Sequence, residues 1–467
     1  MRELCAIILA AGKGKRMNSD LPKVLHLVGG RPMVAFSFLA ARTLNCKKTV
    51  LVVPKDDTLI KEAVLSYSAP RQKVHFAVQN PPRGTGDAVR IAIEAAGLGK
   101  AGTVIVLNAD MPLIEPDTIA KLLALHEKSR AAMTILSANK DDPSGFGRIK
   151  RDANGSVVSI VEDKDANASE RKIGEVNVGV YAFNMTFLKQ AIYQLETANE
   201  QKEYYLPDLA MIALREKRKV EAFQLQDQSE AFGANSQVEL TRVNREFYRC
   251  RRERLSASGV ALVGEDIFVD AGAVVEQGSV LESPCYIKGE SVIKSGVTVE
   301  TGCVIKSSQI GEGTHLKAYC YLDDVVIEKN AHVGPFAHLR PGTHLKDSVK
   351  IGNFVETKKS VFGKNSKANH LSYVGDATLG EGVNVGAGTI TCNYDGVNKF
   401  KTVIEDGVFI GSDTQLVAPI KLGKGSFVAA GTTVTKDVAP FSLVISRVPQ
   451  TEFMGWAKKK KKTSKSK

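Results

Sequence analysis

Aliphatic residues recur every six positions through the second half of the chain. The series runs through Val263, Val269, Val275, Leu281, Ile287, Ile293, Val299 and Ile305. It resumes at Ile327, Val333, Leu339, Leu345 and Ile351, and again at Ile404, Ile410, Leu416, Leu422, Val428 and Val434. A small or acidic residue often follows a rung, as in Val269-Asp270, Ile310-Gly311 and Ile410-Gly411. A period of six matches neither the helical repeat near 3.6 nor the alternation of a simple strand. It matches a solenoid in which every sixth side chain enters a narrow axial core and small residues turn the corners. The ladder slips between Ile351 and Leu379 and is interrupted between Thr391 and Ile404.

A chain of 467 residues exceeds what one core usually fills, so two or more domains are expected. Forty glycines, one Trp and 6% aromatics suit a turn-dense solenoid with a thin aliphatic core. No apolar run approaches the roughly 20 residues a membrane span needs. The apolar stretch Leu4 to Ala11 is too short for a secretory signal and reads as a buried strand. Seven cysteines, with no CxxC pair and no metal-ligand spacing, fit reduced thiols in a cytoplasm. Seven lysines fall in the last ten residues, so the net charge of +12 drops to 12 − 7 = +5 without them. The body is thus mildly basic, and the tail reads as a solvated, disordered end rather than a nucleic-acid arm.

The first half alternates strand and helix signals. Leu4 to Ala10, Thr49 to Val53, Val74 to Val78 and Thr103 to Leu107 read as strands. Pro32 to Leu44, with the proline in the first turn, Gly86 to Ala96 and Pro116 to Ser129 read as helices. This pattern predicts a mostly parallel α/β sheet with ligands beyond the carboxyl ends of its strands. Two features fall there. Ala10-Ala11-Gly12-Lys13-Gly14-Lys15-Arg16-Met17 offers backbone N–H groups and a fixed charge to an oxyanion. It is neither a Walker loop nor a dinucleotide fingerprint. Asn108-Ala109-Asp110 sets a carboxylate at a strand end, where it could hold Mg²⁺ against phosphates or simply serve a turn. Lys23, behind Leu21-Pro22, is equally open between phosphate binding and plain exposure.

Val238 to Leu255 carries Leu240, Val243, Phe247 and Leu255 near one face of an Arg-rich helix. It reads as a solvated connector. Beyond it, the two irregular places in the ladder are dense in Lys, His, Asn and Tyr, which a structural coil does not need. His370 could take a proton from an attacking amine. Arg340, Lys358 and Tyr373 near it in sequence could hold an anion.

Larger patterns carry a resemblance. Leu9-Ala10-Ala11-Gly12 through Met17, with Leu21-Pro22-Lys23, resembles the opening signature of sugar-nucleotide pyrophosphorylases. Gln79 to Ala88, Gly145 to Ile149, Ile160-Val161-Glu162, Glu175 to Gly179 and Gly233-Ala234-Asn235 follow in the order of the uridylyl branch. Arg340-Pro341-Gly342, Gly386 to Gly396 and Arg447-Val448-Pro449-Gln450 resemble the bacterial bifunctional N-acetylglucosamine-1-phosphate uridyltransferase and glucosamine-1-phosphate acetyltransferase family. The likeness runs from about Leu4 to Trp456.

The resemblance implies a Rossmann-like nucleotidyltransferase domain over 1–236 and a linker helix over 237–257. A left-handed parallel β-helix would follow over 258–447, then a C-terminal segment over 448–467. Uridine nucleotide would meet Leu9, Ala10, Ala11, Gly12, Arg16, Lys23, Gln79, Gly84 and Thr85. The sugar would meet Gly147, Glu162, Asn177 and Asn235, with Mg²⁺ on Asp110 and Asn235. In the second domain the sugar phosphate would meet Arg340, Lys358, Tyr373, Asn384 and Lys399, with His370 as base. Acetyl-CoA would meet Ala387, Asn393, Tyr394, Ser412, Ala430 and Arg447. The family implies a cytoplasmic homotrimer that acetylates glucosamine 1-phosphate and then joins the product to UMP from UTP, for cell-wall precursors. It implies neither nucleic-acid binding nor membrane insertion. The chain departs from the family pattern at Asn108-Ala109-Asp110, Asp87, Lys15 and Asn369. Rival readings are a monofunctional pyrophosphorylase on a solenoid platform and a non-catalytic regulatory subunit.

Overall fold

The computed structural model describes residues 3–458 except residues 13, 56, 70–72 and 99–101. Lys13 of the glycine loop and the lysine tail from residue 459 onward lie outside the described residues. The chain divides into two compact units, Met1–Cys250 and Arg251–Lys467.

The first unit is built on a mixed sheet. In spatial order its central strands are Val220–Gln224, Met133–Asn139, Glu175–Asn184, Thr103–Asn108, Leu4–Leu9, Lys48–Pro54 and Val74–Gln79. Pairing is parallel except where Glu175–Asn184 runs antiparallel to both neighbours. Ala6, Ile7 and Ile8 are fully buried, because a strand sandwiched between two layers must be apolar on both faces. Pro32 stands just outside the helix Met33–Thr43 as its N-cap rather than in its first turn. Helices Thr85–Ala96 and Pro116–Ser129 follow as the apolar spacing predicts.

A continuous helix covers Gln237–Ala257. Its first half is not a solvated connector. Leu240 and Val243 are buried in a cluster with Met17, Val28, Met33 and Leu113, and Phe247 packs against it. Asn244 fixes the same segment, accepting from Gly29 N at 3.0 Å and donating to Leu27 O at 3.0 Å. Polar and apolar contacts together hold the loop that carries Lys23.

The second unit is a stack of parallel coils. Most strands are two or three residues long, and each pairs with the strand one coil further on. Register gives the coil length directly: Val275 opposes Ile293, and Ile287 opposes Ile305, 18 residues or three hexads apart. This is the solenoid that the repeats predict, and it is consistent with the left-handed β-helix that the resemblance implies. All the rungs named above are buried except Val263, which is 56% exposed. At that end of the solenoid, Leu262 packs on the core instead.

The apparent slips leave the core intact. Ile310, Leu316 and Leu322 bridge the first gap, and Phe362, Ala368 and Val374 bridge the second. Some steps shorten to five, so Ile293 opposes Ile310 and Phe362 opposes Leu379 after 17 residues. Among the described residues, the segment after Thr391 is the interruption between Ile351 and Val434 that leaves the coil. Leu379 opposes Ile404 after 25 residues, 25 − 17 = 8 more than the coil before it. The extra chain forms a small hairpin, with Tyr394 bridging Lys399. Asp395 Oδ1 closes its turn by accepting from Val397 N and Asn398 N at 2.8 and 2.6 Å.

A second inward position lies two residues before each rung. There Ser279, Ser308, Ser366, Ser372 and Thr414 are buried. Ser279 Oγ donates to Lys294 O at 2.9 Å, and Ser366 Oγ to Gly380 O at 2.7 Å. Small residues fit the narrow corner, and hydroxyls satisfy carbonyls that an apolar side chain would leave bare.

Candidate active sites

A cavity of ≈ 470 Å³ lies at the carboxyl ends of the central strands in the first unit. Leu9, Ala10, Ala11, Gly12, Lys23, Gln79, Gly84 and Thr85 line it, with Asn108 and Asp110. Arg16 is exposed, in a short helix over Lys15–Met17, and does not line the cavity. The Gly84 backbone is left-handed at φ 104, and a Cβ there would stand 2.6 Å from Tyr204 O. Glycine is therefore required by a close approach of two backbones. Gly86 N donates to Tyr204 O at 2.8 Å, and Leu206 N to Thr85 Oγ1 at 3.0 Å. This clamp brings Glu203 to the cavity, a residue the sequence did not single out.

On one wall Lys23 Nζ forms an ion pair with Asp110 Oδ2 and donates to Asn235 Oδ1 at 3.0 Å. Two oxygens, one of them a carboxylate, thus converge on a single cation. Asn235 is held in turn by Glu239, whose Oε2 accepts from its backbone N at 2.9 Å and its Nδ2 at 3.2 Å. An oxygen pair of this kind fits a hard divalent cation that takes its remaining ligands from phosphate and water. Among the described residues no cluster of three His, Cys, Asp or Glu could hold a metal.

Gly147, Glu162 and Asn177 meet in a second group. Asn177 N donates to Gly147 O at 2.8 Å. A Cβ on Gly147 would stand 2.9 Å from Glu162 Oε1. Both ends of the Asn177 amide are engaged: Nδ2 donates to Tyr181 Oη at 2.7 Å, and Oδ1 accepts from Gly179 N at 3.0 Å. Gly179 abuts the Asn108 amide, which joins this group to the cavity. Burial, and then the charges of Asp208, Asp165 and Asp163, raise the Glu162 carboxyl to about 7. Asp208 is itself raised to about 6, by burial first and then by Asp165.

In the β-helix, a groove of ≈ 390 Å³ is lined by Lys317, His332, Lys350, Asn353, Asn369 and His370 among others. His370 is exposed, and its Nδ1 lies 3.2 Å from Asn353 Oδ1 one coil away. An amide oxygen only accepts, so Nδ1 carries a proton, and in the neutral ring the lone pair is on Nε2. Arg340, Lys358 and Lys399 cluster. Lys399 and then Arg340 lower the Lys358 ammonium, and Arg340 also pairs with Glu356 at 2.6 Å. Tyr373 lies opposite Glu356 in the neighbouring coil. Asn384 does not join them, since it lies opposite Lys367 and Phe409 on another ladder.

Ala387, Ser412 and Ala430 lie along one corner of successive coils. Ala387 O accepts from Asp413 N at 2.7 Å, and Ser412 O from Gly431 N at 2.8 Å. Arg447 follows beside Gly431, where a Cβ would be 3.7 Å from its Cδ. Asn393 is buried and donates to Asp376 Oδ2 at 2.5 Å, while Tyr394 stands exposed on the hairpin.

A nucleotide-sized cavity at a sheet's carboxyl edge, and a hexapeptide solenoid carrying a histidine beside a groove, define a two-part transferase. Residues 5–236 match the nucleotidyl transferase family, and residues 401–436 match the bacterial transferase hexapeptide family. Curated relatives match along the whole chain. "Bifunctional protein GlmU" of Pelobacter propionicus is 44% identical, covering 99% of this chain and 100% of that one. Its namesake in Trichlorobacter lovleyi is 43% identical over 98% of both chains. That of Carboxydothermus hydrogenoformans is 42% identical, over 95% of this chain and 98% of that one. The chain belongs to the family of bifunctional GlmU proteins.

Proposed function

We propose that this chain makes UDP-N-acetylglucosamine in two steps. The β-helix moves the acetyl group of acetyl-CoA to the amine of glucosamine 1-phosphate. The α/β unit then joins N-acetylglucosamine 1-phosphate to UMP from UTP and releases pyrophosphate. The observation that carries this reading is the convergence of Asp110 and Asn235 on Lys23 in the wall of a nucleotide-sized cavity. Full-length likeness to relatives named bifunctional supports the pairing of two activities.

In the acetyl step His370 Nε2 takes the amine proton as the amine attacks the thioester carbonyl. Arg340, Lys358, Tyr373 and Lys399 hold the sugar phosphate. Ala387, Asn393, Tyr394, Ser412, Ala430 and Arg447 line the coenzyme side. The family likeness supports a homotrimer whose acetyl-transfer sites are shared between copies. Among the described residues no helix is long and apolar enough to cross a membrane. A cytoplasmic enzyme supplying cell-wall precursors is the setting we assign.

In the uridylyl step the sugar phosphate attacks the α-phosphorus of UTP. Lys23 binds phosphate oxygens, and Gln79 and Gly84 face the base. Asp110 and Asn235 would hold Mg²⁺, which when bound offsets charge on the phosphates and the departing pyrophosphate. Glu162 accepts a hydrogen bond from a sugar hydroxyl, and the bond is stronger to its ionised form. Because its carboxyl is raised to about 7, KM for N-acetylglucosamine 1-phosphate is expected to fall as pH climbs through that value. Initial-rate profiles against pH should show the break in the parent and lose it in Glu162→Gln. Asp208→Asn, which removes the first of the neighbouring charges, should move the break to lower pH.

A coupled assay tests the whole reading. Purified protein with glucosamine 1-phosphate, acetyl-CoA, UTP and Mg²⁺ should yield UDP-N-acetylglucosamine and one pyrophosphate per product. Pyrophosphate release from N-acetylglucosamine 1-phosphate without any acetylation would leave only the monofunctional alternative.

A further inference from the structure

We infer that Asp87 is a specificity-determining positioning residue, which makes the cavity select a pyrimidine with a ring N–H, UTP over CTP. The inference rests on the reading of the cavity as a uridine nucleotide site. Asp87 is 4% exposed, in the first turn of the helix Thr85–Ala96, and does not itself line the cavity. Its Oδ2 accepts from Gln79 Nε2 at 2.9 Å, and its Oδ1 pairs with Arg90 Nη2 at 2.5 Å. Gln79 Nε2 also donates to Gly84 O at 3.0 Å.

A side-chain amide has two N–H hydrogens, and both are now committed to groups that can only accept. Turning the amide over would set its oxygen against a carbonyl and a carboxylate. The orientation of Gln79 is therefore chemically fixed, and the polar atom it has left for a ligand is the acceptor Oε1. Uracil presents N3–H, a donor, between its carbonyls, whereas cytosine presents a bare N3 acceptor at the same place. An acceptor in the wall rewards the first and leaves the second with two lone pairs opposed. Arg90 completes the device. It neutralises a buried carboxylate and lies 5.5 Å from the Tyr204 ring centroid, on the segment that clamps Gly84 and Gly86.

The isosteric variant Asp87→Asn is the sharpest probe. Arg90 will keep the remaining oxygen, so the new Nδ2 faces Gln79 and favours the turned amide, which offers N–H to the base. Asp87→Leu removes the acceptor and frees the amide to take either orientation. The measurement is kcat/KM for UTP and for CTP, with Kd by calorimetry for a variant too slow to assay. The wild type should prefer UTP. The UTP:CTP ratio should fall by roughly tenfold or more in Asp87→Asn and by less in Asp87→Leu, mostly through KM. A thermal unfolding transition matching that of the wild type reports that the unit carrying Asp87 is folded in each variant. Ratios within about threefold of wild type in both variants, against a wild type that uses UTP, overturn the role of Asp87. A wild type that does not use UTP overturns the site reading beneath it.

Discussion

Replacing His370 by alanine is expected to lower acetyl transfer to glucosamine 1-phosphate by a factor on the order of 10²–10⁴. Uridylyl transfer by the same polypeptide should be unchanged, because it belongs to the other compact unit. The size of the loss follows from what the histidine does. On the proposed mechanism the attacking amine must shed a proton as it bonds to the thioester carbon, and Nε2 is the base that takes it. Asn353 is what keeps that nitrogen free, since its Oδ1 accepts from Nδ1 at 3.2 Å. Asn353→Leu should therefore cost less than the loss of His370, about tenfold, by letting the ring populate the wrong tautomer. The decisive measurement is kcat/KM for glucosamine 1-phosphate at saturating acetyl-CoA. A His370→Ala chain that keeps more than about a tenth of the parent rate would remove the histidine from the base role, because general-base catalysis is worth more than that. Equal losses in both activities would instead point to a folding defect.

The solenoid was legible because one physical constraint repeats. Each coil must bury one aliphatic residue per face, so a single rung read at Val275 or Ile287 could be extended for many turns. Its irregularities were harder to interpret. A step shortened to five residues looks in sequence like a broken coil, yet Phe362 and Val374 fill the core as well as any rung. The real departure, the hairpin around Tyr394 and Lys399, had the same outward signature and differed only in length. The serine and threonine positions two residues before each rung were missed because their hydroxyls look like surface residues until their carbonyl partners are seen. The nucleotide site was legible only through resemblance. Lys23 meets Asp110 and Asn235 across 87 and 212 positions, and no local pattern announces such a meeting. Nothing in the run from Gln79 to Ala88 announces that the Tyr204 backbone packs on Gly84, or that Glu203 comes with it.

Asp110→Asn should reduce uridylyl transfer by roughly 10²–10³ while acetyl transfer persists, the loss expected when charge stabilisation at a transferring phosphoryl group is weakened. Lys23 and Asp110 are only 11% and 22% exposed, and the ammonium stands between the two oxygens that would hold a divalent cation. Metal and Lys23 therefore compete for one position until phosphate oxygens arrive to draw the lysine away. Removing only the carboxylate leaves Lys23 facing a neutral amide, which should cost about 1–3 kcal/mol in thermal unfolding without ligands. Asp110→Asn with Lys23→Met should recover part of that stability but none of the activity. Lys23→Met alone should act in opposite directions on two readouts. Divalent metal should bind more tightly without nucleotide, since its competitor is gone, while KM for UTP rises because a phosphate contact is lost. Calorimetric titration of Mg²⁺ into the free protein, beside initial rates against UTP, separates the two. If metal affinity falls along with UTP affinity in Lys23→Met, the lysine supports the metal site rather than competing for it, and the shared-position argument is wrong. If metal affinity rises while uridylyl transfer collapses, Lys23 holds the two oxygens in the empty site and serves the phosphates in the filled one.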